Sequence, residues 1–230
     1  MTYLPHNNNI IIKSPAELEL MQEAGAIVSY ILEILEESVQ PGIKTKDLDW
    51  IAAREIRRSG ANPAFKGYRG FPATICTSIN EEIVHGIPGN RTLKEGDILK
   101  IDAGVMINGF IGDAAITVGV GEISQELHNL INTTKLCLME GIKVAREGAR
   151  VGDIGATIQR IAESNSYSVV RQYGGHGVGR ALHEDPQIPN YGPSGKGPIL
   201  RRGMTIAIEP MVNIGSYETR LLDDQWTVVT

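Results

Sequence analysis

Asp102 and Asp113 stand in the apolar stretch 98–118, one on each side of Asn108-Gly109. Asn-Gly between alternating apolar runs is the strongest short signal for a two-residue hairpin turn. Closing the hairpin there sets Ile107 opposite Phe110 and Asp102 opposite Ala115. Strand side chains alternate between faces, so Asp102 and Asp113 become diagonal neighbours on one face, about 7–8 Å apart. Two carboxylates on one apolar face repel each other and lose hydration, which is costly unless something positive sits between them. No Lys or Arg occurs between the two aspartates. The arrangement points to a metal ion.

Two further residues complete a candidate ligand set. His176 lies in the glycine-rich run Gly175-His176-Gly177-Val178-Gly179-Arg180-Ala181-Leu182-His183-Glu184, and Glu209 ends an apolar strand just before Pro210. Taken singly, each reads as an ordinary strand-end or core residue. Jointly they are one imidazole and three carboxylates, an oxygen-rich set that suits a pair of hard or borderline divalent ions doing hydrolysis. The spacing is not that of a zinc finger, and no HExxH motif is present. Nor is the glycine run a phosphate cradle. Its spacing departs from GxGxxG, and the prolines after it exclude the helix such a site requires. Glycines beside a histidine instead let backbone come close to a ligand or metal.

These residues need elements to hold them. Ser14-Pro15-Ala16-Glu17 is a capping box with proline at the first helical position, predicting a helix to about Glu37. Its expected buried face is Leu18, Met21, Ala24, Ile27, Val28, Ile31 and Leu35. Pro41-Gly42 breaks it, and Thr45 is read as the cap of a second helix ending at Ser59-Gly60. Short β-like runs follow at 73–77 and 82–84, ahead of the hairpin. Ser124 then caps a long helix to about Arg146, Gly148 breaks it, and another helix runs to about Glu163. Setting Gly42 on Gly148, an offset of 106 residues, superimposes helix, break, helix and following strand, with Asp47 meeting Asp153. A duplicated α+β unit is the simplest architecture, one domain of two pseudo-repeats at about 14–120 and 121–230.

Composition narrows the function classes. With 42% hydrophobic and 21% charged residues the 230-residue chain reads as a globular protein with a sizeable core. A net charge of −5 argues against a nucleic-acid surface as its main business. Cys76 and Cys137 form no CxxC pair, so reduced thiols are expected, with Cys76 a pocket wall rather than a nucleophile. No segment has the length and apolarity of a membrane span, and the N-terminus is neither a signal nor a transit peptide, which makes cytoplasm the expected address. His6 and His128 fit no motif and are read as surface residues.

At this point a resemblance enters. The segments Asn80-Glu81-Glu82-Ile83-Val84-His85-Gly86-Ile87-Pro88-Gly89, Asp102-Ala103-Gly104-Val105, Gly112-Asp113, the run from Gly175 to Glu184, and Ile208-Glu209-Pro210-Met211 closely resemble type I methionine aminopeptidases, in order along the chain. The resemblance implies the pita-bread fold, a pseudo-two-fold α+β duplication with a curved antiparallel sheet and helices packed on its outer face. It implies two divalent ions of the Co, Mn, Fe, Zn or Ni type, held by Asp102, Asp113, His176 and Glu209, with Asp113 bridging. Glu209 would also serve as general base. His85 and His183 would contact the substrate near its amine and scissile carbonyl, and Tyr68, Phe71, Cys76, His85 and Trp226 match positions lining the methionine pocket.

The implied activity is removal of N-terminal methionine from nascent chains, by metal-hydroxide attack on the first peptide bond. A monomer is expected, with nascent polypeptides and a transient ribosome contact as partners, and neither nucleic acid nor membrane. Two departures stand against the pattern. In the family a further bridging glutamate follows the position of Trp226 by roughly a strand, whereas Thr230 comes four residues after Trp226. A weakened second metal site is therefore expected, and a non-catalytic or weakly active peptide-binding homologue on the same fold is the alternative. Leu182 also stands where several relatives carry an aromatic residue. An X-Pro peptidase or metal-free hydrolase on this fold is a third reading.

Overall fold

The structure, a computed structural model, describes residues 9–230; His6 lies outside them. Helix α1 spans Pro15–Ser38 and opens on the expected capping box. Glu17 N donates to Ser14 Oγ at 3.3 Å, and the Glu17 carboxylate accepts from Ser14 N at 2.9 Å. Its buried face is Ala24, Val28, Ile31, Leu32 and Leu35. Leu18, Met21 and Ile27 are only half-buried, at the margins of that stripe.

Helix α2 spans Thr45–Arg58. Thr45 does not cap it, because Lys44 holds the cap position. The Thr45 hydroxyl is engaged elsewhere, donating to Gly89 O at 3.2 Å and accepting from Gly89 N at 2.8 Å. Asp47 takes over the capping role, accepting from Lys44 N at 3.3 Å. A threonine hydroxyl serves a helix end or a neighbouring loop, and here the long-range partner has it.

Strands β1 (Asn62–Pro63), β2 (Ile75–Ile79) and β3 (Glu82–Val84) lead to the hairpin of β4 (Ile98–Ile107) and β5 (Phe110–Gly119). Its register is the predicted one: Ile107 faces Phe110, and Asp102 faces Ala115. Asn108 and Gly109 both take positive φ, 51° and 79°, as a type I′ turn requires. Strand β5 lies against β4, which also pairs with β2 and β1, all antiparallel. α1 and α2 cover this sheet through a core of Val28, Ile31, Leu35, Leu48, Ile75, Leu99 and Ile101 among others.

The second half repeats the plan with α3 (Gln125–Val144), α4 (Val151–Ser164), β6 (Ser168–Val169), β7 (Gly175–Gly177), β8 (Glu184–Ile188), β9 (Ile206–Ala207), β10 (Val212–Asn213), β11 (Arg220–Leu221) and β12 (Val228–Val229). α2 and α4 begin and end 106 residues apart, as do β1 and β6. Asp153 also copies Asp47, accepting from Arg150 N at 2.7 Å. Strand β7 sits between β8 and β9, β6 pairs with β10, and β12 joins β11 to β3 of the first half. The duplication read from the sequence is therefore present in the backbone, as an α+β architecture of helices on antiparallel sheets.

Candidate metal centre

The two halves meet where Ile111 N, on the hairpin, donates to Gly179 O of the glycine-rich run at 2.8 Å. This contact brings Asp113 on β5 to His176 on β7. Tight backbone packing around each makes the approach possible. A Cβ at Gly112 would stand 2.5 Å from Ala24 O, so the missing side chain lets α1 lie directly on β5 beside Asp113. Around His176, a Cβ at Gly175 would meet Ala207 O at 2.1 Å, and one at Gly177 would meet Asp185 O at 2.3 Å. The glycines let β8 and β9 close on β7 from both sides, so the close approach that the sequence reading assigned to a ligand or metal is made here by neighbouring strand backbone.

Among the described residues, Asp113, His176 and Glu209 bring one donor atom each to within 4.8 Å of one another. His176 Nε2 lies 3.4 Å from Asp113 Oδ2 and 3.1 Å from Glu209 Oε1. The other imidazole nitrogen, Nδ1, donates to Gly177 O at 2.8 Å, since a carbonyl only accepts. That bond leaves Nε2 facing the carboxylates, so that once the ring sheds its Nε2 proton the lone pair is aimed as a metal-binding histidine needs. Glu209 is held through its backbone, where Asn190 Nδ2 donates to its carbonyl at 2.7 Å. Its Oε1 is buried without a hydrogen bond of good geometry, an orphaned acceptor of the kind a cation satisfies. The residues fit a divalent ion.

Asp102 stands on the same hairpin face, outside that tightest group. Burial, followed by the charges of Asp113 and Glu209, pushes its carboxyl well above the usual range, against the opposing pull of His176. Burial likewise raises Glu209. His176 moves the other way. Burial alone would lower it, but its bonds to Asp113 and Glu209 carry it up to about 10. A site that accumulates unfavourable carboxylate charge and recruits a proton to offset it is one that a divalent cation stabilises.

Most of the remaining candidate residues pack into one apolar cluster. Phe71, Cys76 and Leu182 are buried together with Phe65, Ala73, Ile111 and Val178, with Tyr68 and Trp226 packed against them. Phe71 and Trp226 meet edge to face at 5.1 Å, and His85 meets Trp226 at 6.4 Å. Cys76 sits opposite Asp102 across the β2–β4 pairing. Burial and the charge of Asp102 push its thiol well above its ordinary value, which leaves it inert as a nucleophile. His183 packs against two rings, Tyr68 at 5.4 Å and His176 at 4.2 Å. Burial, with the positive charge of His176, lowers it to about 4, so it is neutral near pH 7. His85, lowered by burial, holds a positive φ of 61°, a strained state for a non-glycine residue.

Sequence reasoning missed the buried ion pair of Lys13 with Glu184, which ties the segment before α1 to the residue after His183. It also missed Asp49, whose carboxylate accepts from Thr74 N at 2.7 Å and Ile75 N at 3.1 Å and so fixes the start of β2. Neither had a local signal, because both partners come from distant sequence. The residues Phe65 and Val178 were equally hidden among ordinary apolar residues.

A convergent carboxylate–imidazole–carboxylate group is one that could hold a metal ion, and the family match gives it its class. The chain belongs to metallopeptidase family M24, whose sequence pattern matches residues 19–228. Within that family it groups with the methionine aminopeptidases. Methionine aminopeptidase 1 of Bacillus subtilis is 54% identical over 221 residues, spanning 96% of this chain and 89% of that protein. The crystal structure of methionine aminopeptidase from Thermotoga maritima superimposes with a TM-score of 0.95 at 44% identity, over 96% of this chain and 89% of that one. These matches show the pita-bread fold. A prolidase from Pyrococcus furiosus, at 23% identity and a TM-score of 0.77 over 57% of its length, shares the fold alone.

Proposed function

We propose that the chain releases N-terminal methionine from nascent polypeptides, using two divalent ions at the Asp102, Asp113, His176 and Glu209 site. The observation that carries this reading is the 3.1 Å and 3.4 Å convergence of Glu209 and Asp113 on His176 Nε2. When bound, the ions supply a water acidified toward neutrality and a Lewis acid for the carbonyl. Glu209, whose carboxyl is already raised by burial, is suited to take and return a proton at the carboxylate oxygen the cation does not use. His183, neutral at physiological pH, offers one hydrogen bond to the scissile carbonyl oxygen as charge develops there.

Substrate choice falls to the apolar wall. Phe71, Cys76, Tyr68 and Trp226 pack together in one apolar, aromatic-rich cluster, a surface suited to an unbranched thioether, since sulfur packs favourably against aromatic ring edges. His85, 6.4 Å from Trp226 between ring centroids, would meet the substrate amine in this reading. The same reading puts the chain in the cytoplasm, as a monomer meeting nascent chains near the ribosome. Within the described residues no helix is long and apolar enough to cross a membrane.

The test pairs two substrates on the metal-loaded protein. Met-Ala-Ser is expected to release free methionine, while Gly-Pro stays intact. Cleavage of Gly-Pro with Met-Ala-Ser untouched would replace this reading with an X-Pro peptidase.

A further inference from the structure

We infer that the Tyr68 hydroxyl is a positioning group that fixes the tautomer of His183, keeping the ring hydrogen on Nε2. Tyr68 Oη lies 2.9 Å from His183 Nδ1, with the two rings stacked 24° from parallel. Two polarities are open to such a pair. A phenol O–H is a stronger acid than a neutral imidazole N–H, and an imidazole nitrogen is a better acceptor than a phenol oxygen. The O–H therefore donates to Nδ1. With Nδ1 accepting, the neutral ring carries its one hydrogen on Nε2, the nitrogen Tyr68 does not hold.

Both partners are fixed by their surroundings. Tyr68 opens the short 3-10 turn Tyr68–Gly70, where its N donates to Phe65 O and its O accepts from Phe71 N, each at 2.9 Å. The backbone around His183 is gripped by Glu184, whose Oε1 accepts from Arg180 N at 2.9 Å and Ala181 N at 3.2 Å while its carboxylate pairs with buried Lys13. The His176 ring also packs against His183, at 4.2 Å between centroids, and limits its rotation. The hydroxyl thus acts on a ring that has little freedom to answer by rotating.

The consequence is chemical. With the hydrogen on Nε2, His183 presents a donor to an oxygen gaining negative charge. The other tautomer would present a lone pair and repel it. This inference rests on the proposed placement of His183 at the scissile carbonyl, but the position of the hydrogen can be read without any substrate.

The experiment uses 15N-histidine-labelled, Zn2+-loaded protein near neutral pH, with His183 assigned by its loss in H183Q. The wild type is expected to show a protonated-type Nε2 and an unprotonated-type Nδ1. Y68F keeps the ring stack and removes only the donor. It should show a mixture of tautomers, with kcat on Met-Ala-Ser down about tenfold, the equivalent of one ordinary hydrogen bond, and KM within about twofold. Hydrogen on Nδ1 in the wild type would overturn the inference. So would a Y68F spectrum identical to the wild type, whatever its kcat. A wild-type protein that ignores Met-Ala-Ser would count against the proposed function and leave the spectrum to decide the tautomer.

Discussion

His176 Nε2 and Asp113 Oδ2 lie 3.4 Å apart although they belong to opposite halves of the duplication. Asp113 comes from the hairpin of the first half and His176 from the middle strand of β8-β7-β9 in the second. The site is thus built at the seam, where neither half holds a complete set of ligands.

Removing one carboxylate at the seam should empty it. Asp113→Asn keeps the size of the side chain and is expected to abolish metal-dependent cleavage with the melting temperature of the metal-free protein little changed. Metal content by atomic spectroscopy, on the same sample as the activity assay, checks this. Wild-type turnover with wild-type metal content would remove Asp113 from the ligand set.

His183 is expected to behave differently. It packs against His176 but is not one of the residues that converge with Asp113 and Glu209, so His183→Ala should lower kcat by roughly 10²–10³, the scale for loss of one oxyanion donor, with metal content preserved. Loss of metal in this variant would make His183 a ligand instead.

Metal binding should release protons. In the metal-free protein His176 is raised to about 10, so it is charged across the neutral range and must shed a proton to bind a cation. Affinity should therefore climb as pH rises, and calorimetric titrations in buffers of different ionisation enthalpy should reveal the proton. The same shift sets a stability trend for the metal-free fold. A histidine whose pKa is raised on folding stabilises below its unfolded value near 6.5, and the gain is lost as pH rises toward 10. The melting temperature of metal-free protein should fall over that window, and a flat profile would contradict the raised value.

The Lys13–Glu184 pair is buried on both sides, with side chains 2% and 5% exposed. Breaking it in Lys13→Met strands a carboxylate in the interior and should cost about 3–5 kcal/mol of unfolding free energy. Replacing both residues by apolar ones should recover part of that loss, measured by urea titration. The recovery is partial because Glu184 also satisfies the Arg180 and Ala181 amides.

Gly175→Ala should be harsher than its size suggests. The added methyl group would lie 2.1 Å from Ala207 O, on backbone that cannot step aside without parting β7 from β9. A loss of about 3 kcal/mol or more is expected, together with reduced metal retention. A stable variant with full metal content would show that the sheet yields at this point.

Much of this was legible where the physics is local. The Asn108-Gly109 turn set the whole β4–β5 register, and strand alternation alone then put Asp102 and Asp113 on one face. Glycine breaks at Gly42 and Gly148 exposed the repeat, because helix ends are marked by nearby residues. Thr45 shows the limit of such rules. A capping residue next to a helix was diverted to Gly89, a partner from the loop after β3 that no short window contains. The meeting of Glu209 and His176 with Asp113 is of that second kind. Each looked like a common strand residue, and only their joint donor chemistry and the family resemblance grouped them, with no local rule to say that they meet.

The central claim is that methionine release depends on a cation held by Asp113, His176 and Glu209. The most direct measurement titrates Mn2+ or Co2+ into metal-stripped protein and follows bound metal and free methionine from Met-Ala-Ser in the same samples. Methionine release should be absent without metal, rise in step with occupancy, vanish again on chelation, and fail throughout in Asp113→Asn. Release that persists at an undiminished rate in the metal-stripped protein would contradict the account.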